Sequence, residues 1–90
     1  MLKIKEEREK ILDRELLRHI DIVAKLEVEI AYQETLDPSE MSAKKAAKIG
    51  ANGEALSWTT ISRKEHIELL NEKLETEQKI VGIITELIKK

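Results

Sequence analysis

The chain contains no cysteine and no phenylalanine, and it has only one proline, one tryptophan, one tyrosine and three glycines. The absence of cysteine excludes disulfides, thiolate metal sites and a cysteine nucleophile, and it is compatible with a reducing compartment such as the cytoplasm. Sheet-rich proteins depend on aromatic and β-branched residues. The shortage of aromatic and turn-forming residues therefore favours a helical protein.

Two further features are missing, namely a surplus of positive charge and a long apolar run. The net charge is −2 and the acidic and basic residues are interspersed, so no broad positive surface is available for a nucleic-acid backbone. No stretch approaches the roughly 20 apolar residues that cross a bilayer, and charged residues begin at Lys3, too early for a signal peptide. We expect a soluble, cytoplasmic protein that binds neither nucleic acid nor membrane.

Two long stretches carry apolar residues at alternating steps of three and four, the spacing that places side chains on one face of a helix. The stretch before Pro38 has the series Leu12, Leu16, Val23, Leu26 and Ile30, with Leu17, Ile20, Ala24 and Ala31 beside it. The last stretch has the series Ile67, Leu70, Leu74, Val81, Ile84 and Ile88, and Glu77 occupies its one missing place. This spacing predicts one helix over about residues 3–36 and another over about residues 63–89.

The sequence also marks where these helices end and begin. Asp37 and Pro38 end the first helix, because proline disfavours helical geometry in the residue before it. Ser62 and Glu65 have the spacing of a capping box, in which each side chain accepts a hydrogen bond from the backbone N–H of the other residue. The last helix is therefore predicted to begin directly after Ser62.

The segment that joins the two helices, residues 37–62, is here called the elbow. Residues 38–49 are rich in alanine and lysine and precede Gly50, which predicts a short helix followed by an extended arm over residues 53–61. The alternative is a two-stranded β-ribbon, because Asn52-Gly53 favours a type I′ hairpin turn and residues 55–60 alternate like a strand. An isolated ribbon has only marginal stability, so we favour the short helix.

The predicted fold is all-α, with a minor β-ribbon as its variant. It is a single domain over residues 1–90, in which two long antiparallel helices joined by the elbow form a helical hairpin. A chain of this length buries only about two-thirds of its unfolded surface, and residues 80–84 are apolar on nearly every side of the last helix. One pair of helices cannot cover that surface, so we expect a homo-oligomer or docking on other protein subunits.

We predict no catalytic, cofactor or metal site. The two histidines, His19 and His66, lack the Glu-x-x-His and His-Glu-x-x-His patterns that bind metal ions on helices. Residues 50–53 lack the length and the Gly-Lys-Ser/Thr ending of a phosphate-binding loop. Glu77 is the informative polar residue, because a buried carboxylate is costly unless it is paired. It either specifies helix register or partner choice, or turns out into solvent.

The expected interface residues lie at the elbow and along the last helix. They are Trp58, Ile61, Glu77, Ile80, Ile83, Ile84, Leu87 and Ile88. A tryptophan at an elbow either anchors that segment to the end of the helices or forms an exposed binding hot spot. The second interpretation would make the elbow itself a binding surface.

Residues 59–63, Thr-Thr-Ile-Ser-Arg, precede a helix rich in lysine and glutamate, and Asn52-Gly53 stands before them as a turn. This arrangement resembles the ribbon-to-helix junction of the small head–tail joining proteins of tailed bacteriophages, over roughly residues 25–78. The resemblance implies a helix, a short β-ribbon and a second helix, and an assembly role in a ring at the phage neck without catalysis. It carries over no site residues.

The sequence therefore leads to two functional hypotheses. The first is a non-enzymatic assembly or adaptor protein that oligomerises through its long helices. In its more specific form, the protein is a component of a phage head–tail connector and is located in the virion. The second is a small phage or bacterial inhibitor or regulator that binds a host protein or a nucleotide through the elbow.

Overall fold

The structure is a computed structural model that describes residues 2–90. The elements in chain order are α1 (Leu2–Gln33), β1 (Met41–Ile49), β2 (Ala55–Ser62) and α2 (Arg63–Lys89). Both long helices of the prediction are present, and α1 ends at Gln33 instead of near residue 36. The prediction of an all-α hairpin with a helical elbow is wrong, because two antiparallel strands connect the helices.

The two helices lie side by side and run antiparallel. Gln33 lies opposite Arg63, His19 lies opposite Glu77, and Arg8 donates a hydrogen bond to the carbonyl of Leu87. Over residues 3–90, the buried apolar residues are Leu26, Ile30, Ile61 and Ile84. Three of these four belong to the predicted seams of α1 and α2, so the core is essentially one line of contact between two helices.

Residues 41–49 form strand β1 where a short helix was predicted over residues 38–49. The strand pairs with β2 from Met41 opposite Ser62 to Ile49 opposite Ala55, with irregular register near Ser42, Ala47 and Leu56. An antiparallel ribbon returns the chain to its starting point, which brings the end of α1 beside the start of α2. Pairing over this distance along the chain overrides the local helix preference of alanine and lysine.

The turn of the ribbon differs from the predicted type I′ turn at Asn52-Gly53. A type I′ turn needs positive φ at both central residues, whereas among the described residues only Gly53 has positive φ, at 82°. The N–H of Gly53 donates to the carbonyl of Gly50 (3.0 Å), and the N–H of Gly50 donates to the carbonyl of Glu54 (2.8 Å). The loop is therefore longer, with glycine at the one position in the left-handed region. Gly50 belongs to this loop and does not end a helix.

The ribbon packs on the helices only at its base. Ile61, which is 3% exposed, is the one buried residue of the two described strands. The Lys45 ammonium forms an ion pair with Glu65, and the Ser42 hydroxyl lies 3.4 Å from Nδ1 of His66. Beyond this base, most residues of both strands are exposed on both faces of the ribbon.

Arg63 joins the end of α1, the following turn and the base of the ribbon. It is 9% exposed. Its Nε donates to Oε1 of Gln33 (3.0 Å), and one terminal nitrogen donates to the carbonyl of Asp37 (2.7 Å) and to the carboxylate of Glu40 (3.0 Å). A planar guanidinium suits this geometry because its donors point in fixed directions. One side chain therefore closes the hairpin.

Capping side chains define the two ends of the elbow. The Ser62 hydroxyl accepts a hydrogen bond from the N–H of Glu65 (3.3 Å), as the capping box predicts, but the Glu65 carboxylate contacts Lys45 instead of returning to Ser62. The N–H and the hydroxyl of Ser39 both donate to the Asp37 carboxylate, and they lower the pKa of Asp37. Because the folded-state pKa is the lower one, this stabilisation is present at neutral pH and is lost as the pH falls through that pKa.

Replacing Arg63 with lysine keeps the positive charge but removes the guanidinium that reaches three acceptors. We expect Arg63→Lys to lower the free energy of unfolding by about 2–3 kcal/mol, since one hydrogen bond to a charged group contributes about 1.5–3 kcal/mol and more than one is lost. Urea denaturation would measure this. The matched control is Lys64→Ala at the next, exposed position, which should change stability by no more than about 0.5 kcal/mol. Equal effects of the two substitutions would contradict the role of Arg63.

Candidate interaction surfaces

The structure separates the eight predicted interface residues into two groups. Ile61 and Ile84 are buried inside the chain, and Glu77 is paired with another residue of the same chain. Ile80 is half-buried, and the remaining four are exposed, namely Trp58, Ile83, Leu87 and Ile88. Ile83, Leu87 and Ile88 therefore leave apolar surface open at the end of α2, whereas Ile61 and Ile84 have no surface to offer a partner.

Glu77 and His19 form a polar pair in the middle of the helix contact. Nδ1 of His19 lies 2.5 Å from a carboxylate oxygen of Glu77. His19 is 8% exposed, and the side chain of Glu77 is nearly as well covered. The sequence placed His19 only near the seam of α1. His19 occupies the one position of the α1 series, between Leu16 and Val23, that no apolar residue fills. Each seam therefore has one polar residue, and these two residues contact each other.

The other ring nitrogen of His19 faces Arg18. A terminal nitrogen of Arg18 lies 2.9 Å from Nε2 of His19, and the same guanidinium is 2.7 Å from the Glu15 carboxylate. Arginine can only donate, so Nε2 accepts and Nδ1 carries the proton that is donated to Glu77. The hydrogen bond from Arg18 is also the main reason that the pKa of Glu15 is lowered.

This arrangement indicates that Glu77 specifies how the two helices of one chain align. Apolar seams with regular spacing can slide past each other by one repeat with little loss of contact, whereas a polar pair is satisfied in one alignment only. The structure thus supports a pairing of Glu77 with His19 of the same chain. It does not leave Glu77 free for a partner.

A second apolar row runs along α1 outside the helix contact. This row, here called the α1 stripe, consists of Leu17, Ile20, Ala24, Val28 and Ala31. All five residues are exposed, and Val28 reaches 71%. At about 100° per residue, the row lies about 120° around α1 from the seam that meets α2. Most of this row was visible in the sequence as apolar residues beside the seam, but Val28 was missed.

A second apolar surface lies at the open end of the hairpin. This surface, here called the open-end patch, consists of Ile4, Ile11, Ile80, Ile83 and Leu87. Ile4 and Ile11 line one shallow apolar hollow on α1, and Ile83 and Leu87 line another on α2 beside Gly82. The sequence predicted the α2 half of the patch. It gave no reason to include Ile4 and Ile11, since they follow no long series.

The two surfaces lie on opposite faces of the hairpin. Ile20 of the α1 stripe shares a shallow groove between the helices with Gln78. On α2, Gln78 and Ile80 are two residues apart, so their side chains point about 160° away from each other around the helix. The groove and the α1 stripe therefore belong to one face, and Ile80 with the rest of the open-end patch belongs to the other.

The ribbon presents a third exposed surface. Leu56 and Trp58 of β2 are both exposed, Leu56 to 56% and Trp58 to 61%. Trp58 stands opposite Ala46 in the pairing with β1. The structure thus places Trp58 away from the helices. The interpretation that it anchors the elbow to the end of the bundle is wrong, because the side chain is exposed.

Comparison of the chain with protein-family models, with curated proteins and with solved structures finds no match. Within residues 2–90, no three histidine, aspartate or glutamate side chains are grouped so that they could hold a metal ion. Neither described helix has the length of uninterrupted apolar sequence that a bilayer crossing requires.

A double-mutant cycle tests the His19–Glu77 pair. Glu77→Leu or His19→Leu alone should lower the free energy of unfolding by about 2–4 kcal/mol, because each leaves one buried polar partner unsatisfied. The double variant should recover most of that loss, since two leucines complete both seams. Chemical denaturation would measure all three variants. Additive losses in the double variant would contradict a direct pair.

Proposed function

We propose that the protein is a non-enzymatic assembly protein, whose copies associate through the exposed apolar faces of the helical hairpin. The observation that carries this proposal is the amount of surface left open. The accessible surface is 6996 Å², whereas a compact monomer of 10.4 kDa would expose about 5,400 Å². An interface of standard size takes about 800 Å² from each partner, so the excess of about 1,600 Å² corresponds to two such contacts per copy.

The shape of the chain supports the same proposal. Its radius of gyration is 17.6 Å, against about 12 Å for a compact domain of this length. Its thinnest dimension is 14 Å, little more than the diameter of one helix with its side chains. Stable domains are built from at least two packed layers. A single layer with apolar residues on both faces therefore obtains its second layer from another protein.

The more specific form of the proposal is a component of a phage head–tail connector. Its support is the resemblance of residues 59–63 and of the following helix to the head–tail joining proteins, together with the order of a helix, a ribbon and a second helix. In this form, the copies would assemble around an axis, and the ribbon would be free to contact a neighbouring protein of the virion.

Light scattering after size exclusion tests the self-association. We expect a mass of several chains at low micromolar concentration, and a much smaller mass for Ile83→Glu, because a carboxylate would be buried in the contact. Ile83 is 60% exposed in the single chain, so its replacement should leave the hairpin folded. Ile84 would be a poor choice because it is buried between the helices.

The matched control for this experiment is Ile49→Glu on the ribbon, an equally exposed isoleucine. It should retain the mass of the unmodified protein. Circular dichroism of each variant would establish that the helices remain. A monomer at every accessible concentration of the unmodified protein would contradict the proposal.

A second candidate function is an adaptor or inhibitor that binds a host protein through the ribbon. The observation that favours it is the exposure of Leu56 and Trp58 on the ribbon, since tryptophan is enriched among the residues that dominate binding energy. Each of the two strands also has one unpaired edge, to which an extended segment of a partner can add.

This second function predicts a loss of binding without a loss of structure. Trp58→Ala should change the stability of the chain by no more than about 0.5 kcal/mol, because the side chain is exposed, and it should abolish retention of the host protein in a pull-down. Tyr32→Ala, which removes an exposed aromatic residue from α1, is the matched control and should retain that protein. If the unmodified protein, Trp58→Ala and Tyr32→Ala all retain the same proteins, the partner does not bind through the ribbon.

A further inference from the structure

The arrangement of the two helical surfaces points to the kind of contact that the copies make. We propose that the α1 stripe of one copy packs on the open-end patch of the next copy, in a repeated head-to-tail contact. This inference rests on the proposed self-association and adds which surface meets which. The occupant of each surface is a second copy of this chain.

The α1 stripe and the open-end patch of one copy can be covered by two other copies at the same time. They lie on opposite faces of the hairpin and at different heights, with the α1 stripe over residues 17–31 and the open-end patch beside residues 80–87. In a two-fold symmetric dimer, one surface pairs with itself and the other stays open. A head-to-tail contact fills both surfaces of every interior copy and leads to a closed ring or to an open chain.

The area that has to be covered corresponds to two contacts per copy. The excess surface of about 1,600 Å² derives from the accessible area of 6996 Å² and from the size expected of a compact monomer. A standard interface takes about 800 Å² from each partner. One two-fold contact would therefore cover about half of the excess, whereas two head-to-tail contacts per copy would cover nearly all of it.

The charges around the two surfaces also favour contact between the stripe and the patch. The charged residues that line the two hollows of the open-end patch are mostly basic, namely Lys3, Arg8, Lys79 and Lys90 against Glu7 and Glu86. Within residues 17–31, around the α1 stripe, acidic residues outnumber basic ones, namely Asp21, Glu27 and Glu29 against Arg18 and Lys25. Opposite charges around the two surfaces favour the mixed contact, and pairing the patch with itself would bring like charges together.

Mixing two blocked variants tests the contact directly. Val28→Glu blocks the α1 stripe and Ile83→Glu blocks the open-end patch, and both positions are well exposed in the single chain. In a head-to-tail assembly, each variant alone has lost one half of the only contact and should be monomeric. An equal mixture should form a dimer of one copy of each variant, through the one intact stripe and the one intact patch.

The readout is the mass of each variant and of the mixture by light scattering, with circular dichroism to establish the fold. If Val28→Glu does not fold, Leu17→Glu blocks the same stripe at another exposed position. A mixture of Val28→Glu with Leu17→Glu is the matched control and should stay monomeric, because both variants lack the stripe.

Two results would overturn the inference while the proposed function stands. Either blocked variant alone could remain a dimer, which would mean that the other surface pairs with itself. The mixture could also stay monomeric although the unmodified protein is a multimer, which would mean that other residues form the contact. A monomeric unmodified protein would instead contradict the proposed function, and the inference with it.

Discussion

When two helices are in contact, only one line of side chains on each helix faces the other helix. The seams of α1 and α2 fill that line and bury Leu26, Ile30 and Ile84. Each helix nevertheless carries apolar residues around more of its circumference than one neighbour can cover. Among the described elements, the ribbon adds no second layer, since it packs on the helices only at its base. The open faces are thus a direct result of the layout and lead to the proposed assembly.

Within this layout, polar contacts determine the alignment and apolar contacts supply the attraction. Arg63 connects the end of α1 to the base of the ribbon, and His19 meets Glu77 near the middle of the helix contact. A third contact, from Arg8 to the carbonyl of Leu87 at 3.3 Å, lies near the open end. A regular apolar seam alone would tolerate sliding by one repeat. Three specific contacts along its length select one register, which in turn determines the face on which each exposed apolar row lies.

The helices could be predicted from the sequence, because their signals are local. The steps of three and four define α2, and Ser62 caps its start. The elbow could not be decided in the same way, since both a short helix and a β-ribbon fit its sequence, and residues 41–49 become a strand only through pairing with β2. The sequence signalled Glu77 as unusual but did not reveal its partner, although His19 stands in the matching place of the other seam. Arg63 gave no signal, because its role depends on three acceptors from different segments.

Contact between copies would stabilise the folded chain, so the melting temperature of the protein should depend on its concentration. Association of folded chains stabilises them by mass action, so we predict that the midpoint of thermal unfolding, followed by the helical circular dichroism signal, rises with protein concentration. The same midpoint at low and high concentration, for a protein that remains folded and monomeric throughout, would show that the single chain is stable without this contact.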